Sequence, residues 1–152
     1  LKKENELLKL VYLHEFPLNT PYMNVIGHLA RANQKFRFRK LLVDQTGIGE
    51  LVLEELREQG VQNVEGITFT AQSKEATLTW LKLLMEQSRL KMPYNRRLFQ
   101  QLNEQQYAYN KASYLTFSHP ENSHDDMLCA LALASQTARQ KQAKPFFTAV
   151  QE

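Results

Sequence analysis

The stretch Phe38-Arg39-Lys40-Leu41-Leu42-Val43-Asp44-Gln45-Thr46-Gly47-Ile48-Gly49-Glu50-Leu51-Val52-Leu53 decides how the rest of the chain is read. Its short apolar run, Leu41 to Val43, has the length and continuity of a strand buried on both faces, as in a sheet covered by helices. Asp44 then falls at the carboxyl end of that strand, where open α/β sheets bind their ligands. Gly47 and Gly49 open a turn, and a helical pattern begins behind them. Asp44 has two readings. It is a ligand-binding acid, or it is one member of a tight strand-to-helix turn, for which Asp and Gly are ordinary residues. Taken alone, the turn is the more economical reading. The glycine pair is not a dinucleotide fingerprint, because the third glycine of Gly-x-Gly-x-x-Gly falls on Val52. A second acid converging on Asp44 would separate the two readings.

Working outward, the chain alternates strand-like and helix-like segments. Leu7 to Phe16 is apolar with aromatic and β-branched members and reads as a strand, closed by Pro17 to Pro21. Thr20-Pro21 has the chemistry of a cap and first helical residue. Tyr22, Val25, Ile26, Leu29 and Ala30 then recur at helical spacing to about Gln34. A helix from Gly49 to Gln59 stops at Gly60. Val64 to Phe69 is the next strand, and Ser73 caps a helix reaching Arg89 that buries Trp80, Leu81 and Leu84. Leu90 to Met92 is a short edge strand stopped by Pro93. Arg96 to Gln106 is helical, Tyr107 to Phe117 alternates as a hairpin does, and Asp125 to Gln142 is a helix striped by Leu128, Leu131 and Ala134. Strands separated by helices make an α/β sheet with right-handed crossovers.

Composition bounds the rest. At 152 residues, 43% apolar and 23% charged, the chain has the size and balance of one globular domain. No apolar run approaches the ~18 residues of a membrane span, and the opening Leu-Lys-Lys-Glu-Asn-Glu lacks the apolar core of a signal peptide. A start without Met that leads almost at once into a strand reads as part of a longer protein. The lone Cys129 excludes an internal disulfide framework, fits a reducing compartment, and lies in an apolar run where it is expected to be buried and inert. The net charge of +3 permits a polyanionic partner without requiring one. The cations are bunched: Arg31, Lys35, Arg37, Arg39 and Lys40; then Arg89, Lys91, Arg96 and Arg97; then Arg139, Lys141 and Lys144. Each bunch is equally a solvated face.

Ser123-His124-Asp125-Asp126-Met127-Leu128 holds the second acid. Ser123 is an ordinary cap, and one acid in the first turn complements the helix dipole. That explanation covers one carboxylate. It covers less well a pair beside a His, ahead of the almost wholly apolar Met127 to Ala134. Hard divalent cations take oxygen ligands, Mg²⁺ commonly one or two carboxylates together with phosphate oxygens.

In these stretches the chain resembles the C-terminal nuclease domain of the phage terminase large subunit, a ribonuclease H-like fold. Leu42 to Gly49 resembles the family's second acidic motif, and Val64 to Lys74 the following strand and turn. Leu90 to Pro93 resembles a small strand after the long helix, and His124 to Ala134 the last acidic motif. Their order and spacing over residues 7 to 138 carry the resemblance. It implies a mixed sheet flanked by helices and two Mg²⁺ or Mn²⁺ ions held by Asp44 and Asp126. Asp125 would be a helper or alternative catalytic acid, and His124 would orient a carboxylate or water. The reaction implied is cleavage of double-stranded DNA during viral genome packaging, by in-line attack of a metal-activated water. Lys74 falls where a DNA-backbone contact is plausible, and Arg96 and Arg97 are further DNA-binding expectations. The implied partners are an upstream ATPase domain of the same protein, the portal and the small terminase subunit, in the cytoplasm of a bacterial host. The sequence departs from the family in lacking its first strands: the central strand that carries the first acid would lie ahead of Leu1. No Gly-x-x-x-x-Gly-Lys-Ser/Thr motif occurs. Two other readings stand beside this one: a non-catalytic DNA-binding or motor-docking module of the same fold, and another ribonuclease H-like enzyme such as a junction resolvase or transposase.

Overall fold

The structure, a computed structural model, describes residues 1–46, 50–109, 115–118 and 125–139. Strands β1 (Lys2–Glu4) and β2 (Leu7–Lys9) form an antiparallel hairpin, with Asn5 at positive φ in its turn. β2 also pairs in parallel with β5 (Leu90–Lys91). β3 (Leu41–Asp44) pairs in parallel with β4 (Val64–Ile67), setting Asp44 opposite Ile67 at the ladder's end. β6 (Gln106–Tyr109) and β7 (Leu115–Ser118) form the antiparallel hairpin that the alternation predicts. The helices are α1 (Tyr22–Phe36), α2 (Leu51–Glu58), α3 (Ala71–Glu86), α4 (Arg96–Glu104) and α5 (Asp126–Gln136). The α/β class is as the sequence implies, but among the described residues the strands fall into three separate sheets.

That division corrects two expectations. The Leu7–Phe16 strand is cut to its first three residues. Its ladder ends with the Leu10 N–H bond to the Lys91 carbonyl, because β5 runs into Met92-Pro93, and proline has no N–H to continue it. β3 is half-buried along its length instead of enclosed on both faces, since β4 is its one neighbour among the described residues.

The core has two parts. Leu10, Leu78, Leu81, Leu98, Met127, Leu128, Leu131 and Ala132 join α3, α4 and α5. Ile26, Ala30, Leu53, Leu56, Val61 and Val64 join α1, α2 and β4. Each fully buried leucine contributes about 1.5–3 kcal/mol. α5 buries residues almost all round, as its composition predicts, and so is held firmly between α3 and α4.

The helix ends obey local chemistry with some shifts in position. Thr20 does not cap α1; its hydroxyl donates to the Pro17 carbonyl at 2.6 Å, inside the preceding turn, and Pro21 is the N-cap. α2 ends at Glu58 with Gln59 as its C-cap and Gly60 beyond it at φ 89°, the left-handed residue expected there. Thr70 caps α3, not Ser73; the two make a reciprocal capping box, each side chain accepting from the other's backbone N–H. Trp80 is half-buried, its Nε1 donating to the Ser135 carbonyl at 3.2 Å. Ser123, His124, Gly47 and Gly49 lie outside the described residues, and the helix expected to run to Gln142 ends earlier, at Gln136, with Thr137 as its C-cap. No helix is long and apolar enough to cross a membrane among the described residues.

Candidate acidic site

The site starts from the parallel pair β3–β4. Parallel strands point their carboxyl ends the same way, so Asp44 emerges beside the turn that leads from Ile67 into α3. Its Oδ1 accepts the Thr46 N–H at 2.9 Å, a local loop that fixes the carboxylate at the strand end. The Thr46 hydroxyl in turn accepts the Phe69 N–H at 3.2 Å, and Gln45 N–H bonds the Ile67 carbonyl at 3.0 Å. The two strand ends are thus tied together just before α3 begins. Gly66 leaves room for neighbouring side chains: a Cβ there would lie 1.6 Å from Gln45 Oε1 and 2.7 Å from Leu53 Cδ1, which would have to move.

One turn into α3, Lys74 reaches across to α5. Its Nζ donates to Asp125 Oδ2 at 2.8 Å, with the two side chains 34% and 15% exposed. Burial alone would lower the lysine's pKa. The hydrogen bond to Asp125, with the charges of Asp125 and Asp44, outweighs burial and raises it. Asp125 thus holds the ammonium directly, and the weaker field of Asp44 reaches it from the strand end. α5 packs against β3 as well as against α3.

Asp125 is the N-cap of α5 by position, yet its side chain makes no cap bond. The orphan Leu128 N–H is taken instead by Gln101 Oε1 on α4, at 3.0 Å. Gln101 was not legible as part of the site; a polar residue on the packed face of an amphipathic helix is the signal that points to it. Cys129, one turn along α5, is half-buried rather than fully enclosed. Burial, the Asp125 charge and a hydrogen bond to that carboxylate push its thiol up to about 12, so it stays protonated and inert, as its apolar setting implies.

Asp126 is exposed in the first turn of α5, where its field also reaches Cys129. Arg97 pairs with Glu15 at 2.7 Å and Arg96 is exposed; both lie in the first turn of α4 behind the Asn95 cap. Carboxylate oxygens at a strand end and a helix start are the hard donors that Mg²⁺ and Mn²⁺ accept. Among the described residues no three His, Cys, Asp or Glu side chains gather into a metal-binding group. The donor chemistry fits a divalent cation, and the described set is short of a full set of protein ligands.

The chain is thus an α/β protein in which β3, ending at Asp44, packs against α5, which starts at Asp125 and Asp126. The resemblance drawn from the sequence then becomes definite. Residues 5–137 match the terminase RNaseH-like domain family, and the chain belongs to that family. The large terminase subunit of Thermus phage G20c is 24% identical over 109 residues, which is 72% of this chain and 22% of that protein. The magnesium-bound crystal structure of the large terminase nuclease from thermophilic phage G20c superposes with a TM-score of 0.67 at 23% identity, covering 77% of this chain and 62% of that one. The large terminase nuclease domain of Thermus phage P74-26 gives 0.68 at 21% identity, covering 84% and 66%. At these identities the superpositions establish the fold. The chain spans about a fifth of the length of the curated relative it matches.

Proposed function

We propose that this chain is nuclease machinery of a terminase large subunit and hydrolyses phosphodiester bonds of double-stranded DNA with bound Mg²⁺ or Mn²⁺. The observation that carries the reading is the placement of the acids: Asp125, which accepts from Lys74 at 2.8 Å, and Asp126 start a helix that packs on β3, the strand that ends at Asp44. Metal-bound structures of the G20c nuclease support it. Asp44 and Asp126 would hold the metal. Two ions, when bound, neutralise the phosphate and activate the attacking water. Asp44 is aimed by its bond from Thr46, Asp126 presents its carboxylate to solvent, and Asp125, held by Lys74, is the helper. Lys74 takes on a different part from the phosphate contact read in the sequence: its ammonium holds a carboxylate. Arg96 remains an exposed cation for the DNA backbone, while Arg97 is shared with Glu15. An upstream ATPase domain, the portal and the small subunit are the partners this assignment implies, and the chain forms a single nuclease unit within the longer protein.

The test is plasmid nicking in Mn²⁺, with and without chelator, by a protein extended upstream to include the family's first acidic strand. Asp44→Asn and Asp126→Asn each abolish cutting with little loss of folding, and Asp125→Asn costs less. A folded protein that still cuts with both Asp44 and Asp126 neutralised refutes the assignment. The second reading, a non-catalytic docking or DNA-binding module, is favoured by the incomplete ligand set among the described residues. It predicts a folded, chelator-indifferent protein that binds DNA and never cuts it.

A further inference from the structure

Most of the exposed large apolar side chains among the described residues lie between Val11 and Phe36. Within that span five rings pack on one another. His14 and His28 stack with centroids 4.3 Å apart and planes 15° from parallel. Phe16 meets both edge-on, at 4.5 and 5.1 Å. Tyr12, 45% exposed, bonds His28 Nε2 through its hydroxyl at 2.9 Å, and Phe36 tilts against Tyr12 at 5.4 Å. Helical spacing puts His28, Arg31 and Lys35 on the face of α1 opposite Ile26 and Ala30, which point into the core. The rings are therefore held by each other and by α1, with Tyr12 and Phe36 open to solvent.

The surrounding charge is of one sign. From Leu10 to Lys40 the chain has a single carboxylate, Glu15, against Arg31, Lys35, Arg37, Arg39 and Lys40. Glu15 is engaged by Arg97 and Lys40 by Glu65. Arg31, Lys35, Arg37 and Arg39 form no ion pair among the described residues, and Lys35 Nζ lies 5.4 Å over the Phe36 ring. Pre-held aromatic faces beside unpaired cations suit a ligand that alternates flat π-surfaces with negative charge. Every nucleobase has such a face, and a phosphate backbone supplies the charge. A duplex conceals its base faces in the stack; a single strand presents them.

We propose that the face formed by Tyr12, His14, Phe16, His28 and Phe36, with Arg31 and Lys35, is a stacking platform for single-stranded nucleic acid. It shares no residue with the Asp44–Asp125 site. The platform holds an unpaired strand while the acidic site is free to act on duplex.

The test is fluorescence anisotropy with labelled oligo(dT) and a duplex of equal length, in chelator so that no strand is cut. Oligo(dT) binds more tightly than the duplex. Tyr12→Ser weakens oligo(dT) binding by about fivefold or more, the loss of one stacked base, whereas Tyr12→Phe keeps it. Arg31→Gln with Lys35→Gln flattens the slope of log affinity against log salt by about 1.4, two single-strand phosphate contacts. Circular dichroism confirms that each variant is folded. Equal affinity for duplex and oligo(dT), or oligo(dT) binding unchanged in Tyr12→Ser, overturns the proposal. So does absence of oligo(dT) binding together with self-association that Tyr12→Ser abolishes, because this face is then a protein contact. Failure of plasmid nicking leaves these readings untouched, so the two assignments fail separately.

Discussion

Replacing Lys74 by Met keeps the alkyl stem and removes the ammonium that Asp125 accepts from. A hydrogen bond to a charged group contributes about 1.5–3 kcal/mol, and orphaning one member of a fully buried pair costs about 3–5 kcal/mol. This pair is intermediate: Asp125 is 15% exposed, so water reaches it poorly, and Lys74 is 34% exposed. Discounting for that solvent access gives about 1–2 kcal/mol for Lys74→Met. In a chain of this size that lowers Tm by about 2–8 °C. The effect should be asymmetric. Asp125→Asn strands the lysine, which lies nearer solvent and can turn out to water, so it costs about 0.5–1 kcal/mol. Urea unfolding of both single variants and the double variant, in chelator, reads the coupling directly. The double variant should be more stable than the sum of the singles predicts. An additive double variant would show that the lysine does not hold this carboxylate.

Gln101→Ala leaves the Leu128 N–H without its acceptor at the start of α5, and should lower stability in the same urea assay by about 1 kcal/mol; no change would mean that water replaces the glutamine freely. Cys129 has a pKa raised to about 12 in the folded state, so the unfolded thiol loses its proton first as pH rises. The unfolded state then binds fewer protons, and stability should fall from about pH 8.5 upward, the ordinary thiol range, until the folded group titrates. Alkylation by iodoacetamide at pH 8 should be much slower in the folded protein than in urea, and equal rates would contradict the burial.

The local signals of the fold were legible because they act over a few residues. A three-residue apolar run before Asp44, bounded by turn residues, favours a strand, Gly60 ends a helix by backbone freedom, and the apolar Met127–Ala134 run favours burial. The two acidic stretches were likewise visible as residue types in suspicious positions. Their partners were not. Nothing near Lys74 in sequence marks it as the counter-charge of Asp125, and nothing near Gln101 marks it as the acceptor for Leu128. Both bonds depend on α5 lying against α3 and α4, which long-range packing alone decides.

The sequence also overstated what pattern can promise. Leu7 to Phe16 has strand propensity throughout, yet a strand needs a partner at every residue, and Pro93 withdraws it after Lys91. Leu41 to Val43 is apolar enough for full enclosure, yet enclosure belongs to the sheet around it. So composition and local pattern determined that this is an α/β chain with acids at a strand end and a helix start. Tertiary structure alone decided that Asp125 is held by Lys74 on a helix packed against the strand of Asp44, and that Tyr12, His28 and Phe36 form one exposed face, because electrostatic and ring contacts depend on distance through space and not along the chain.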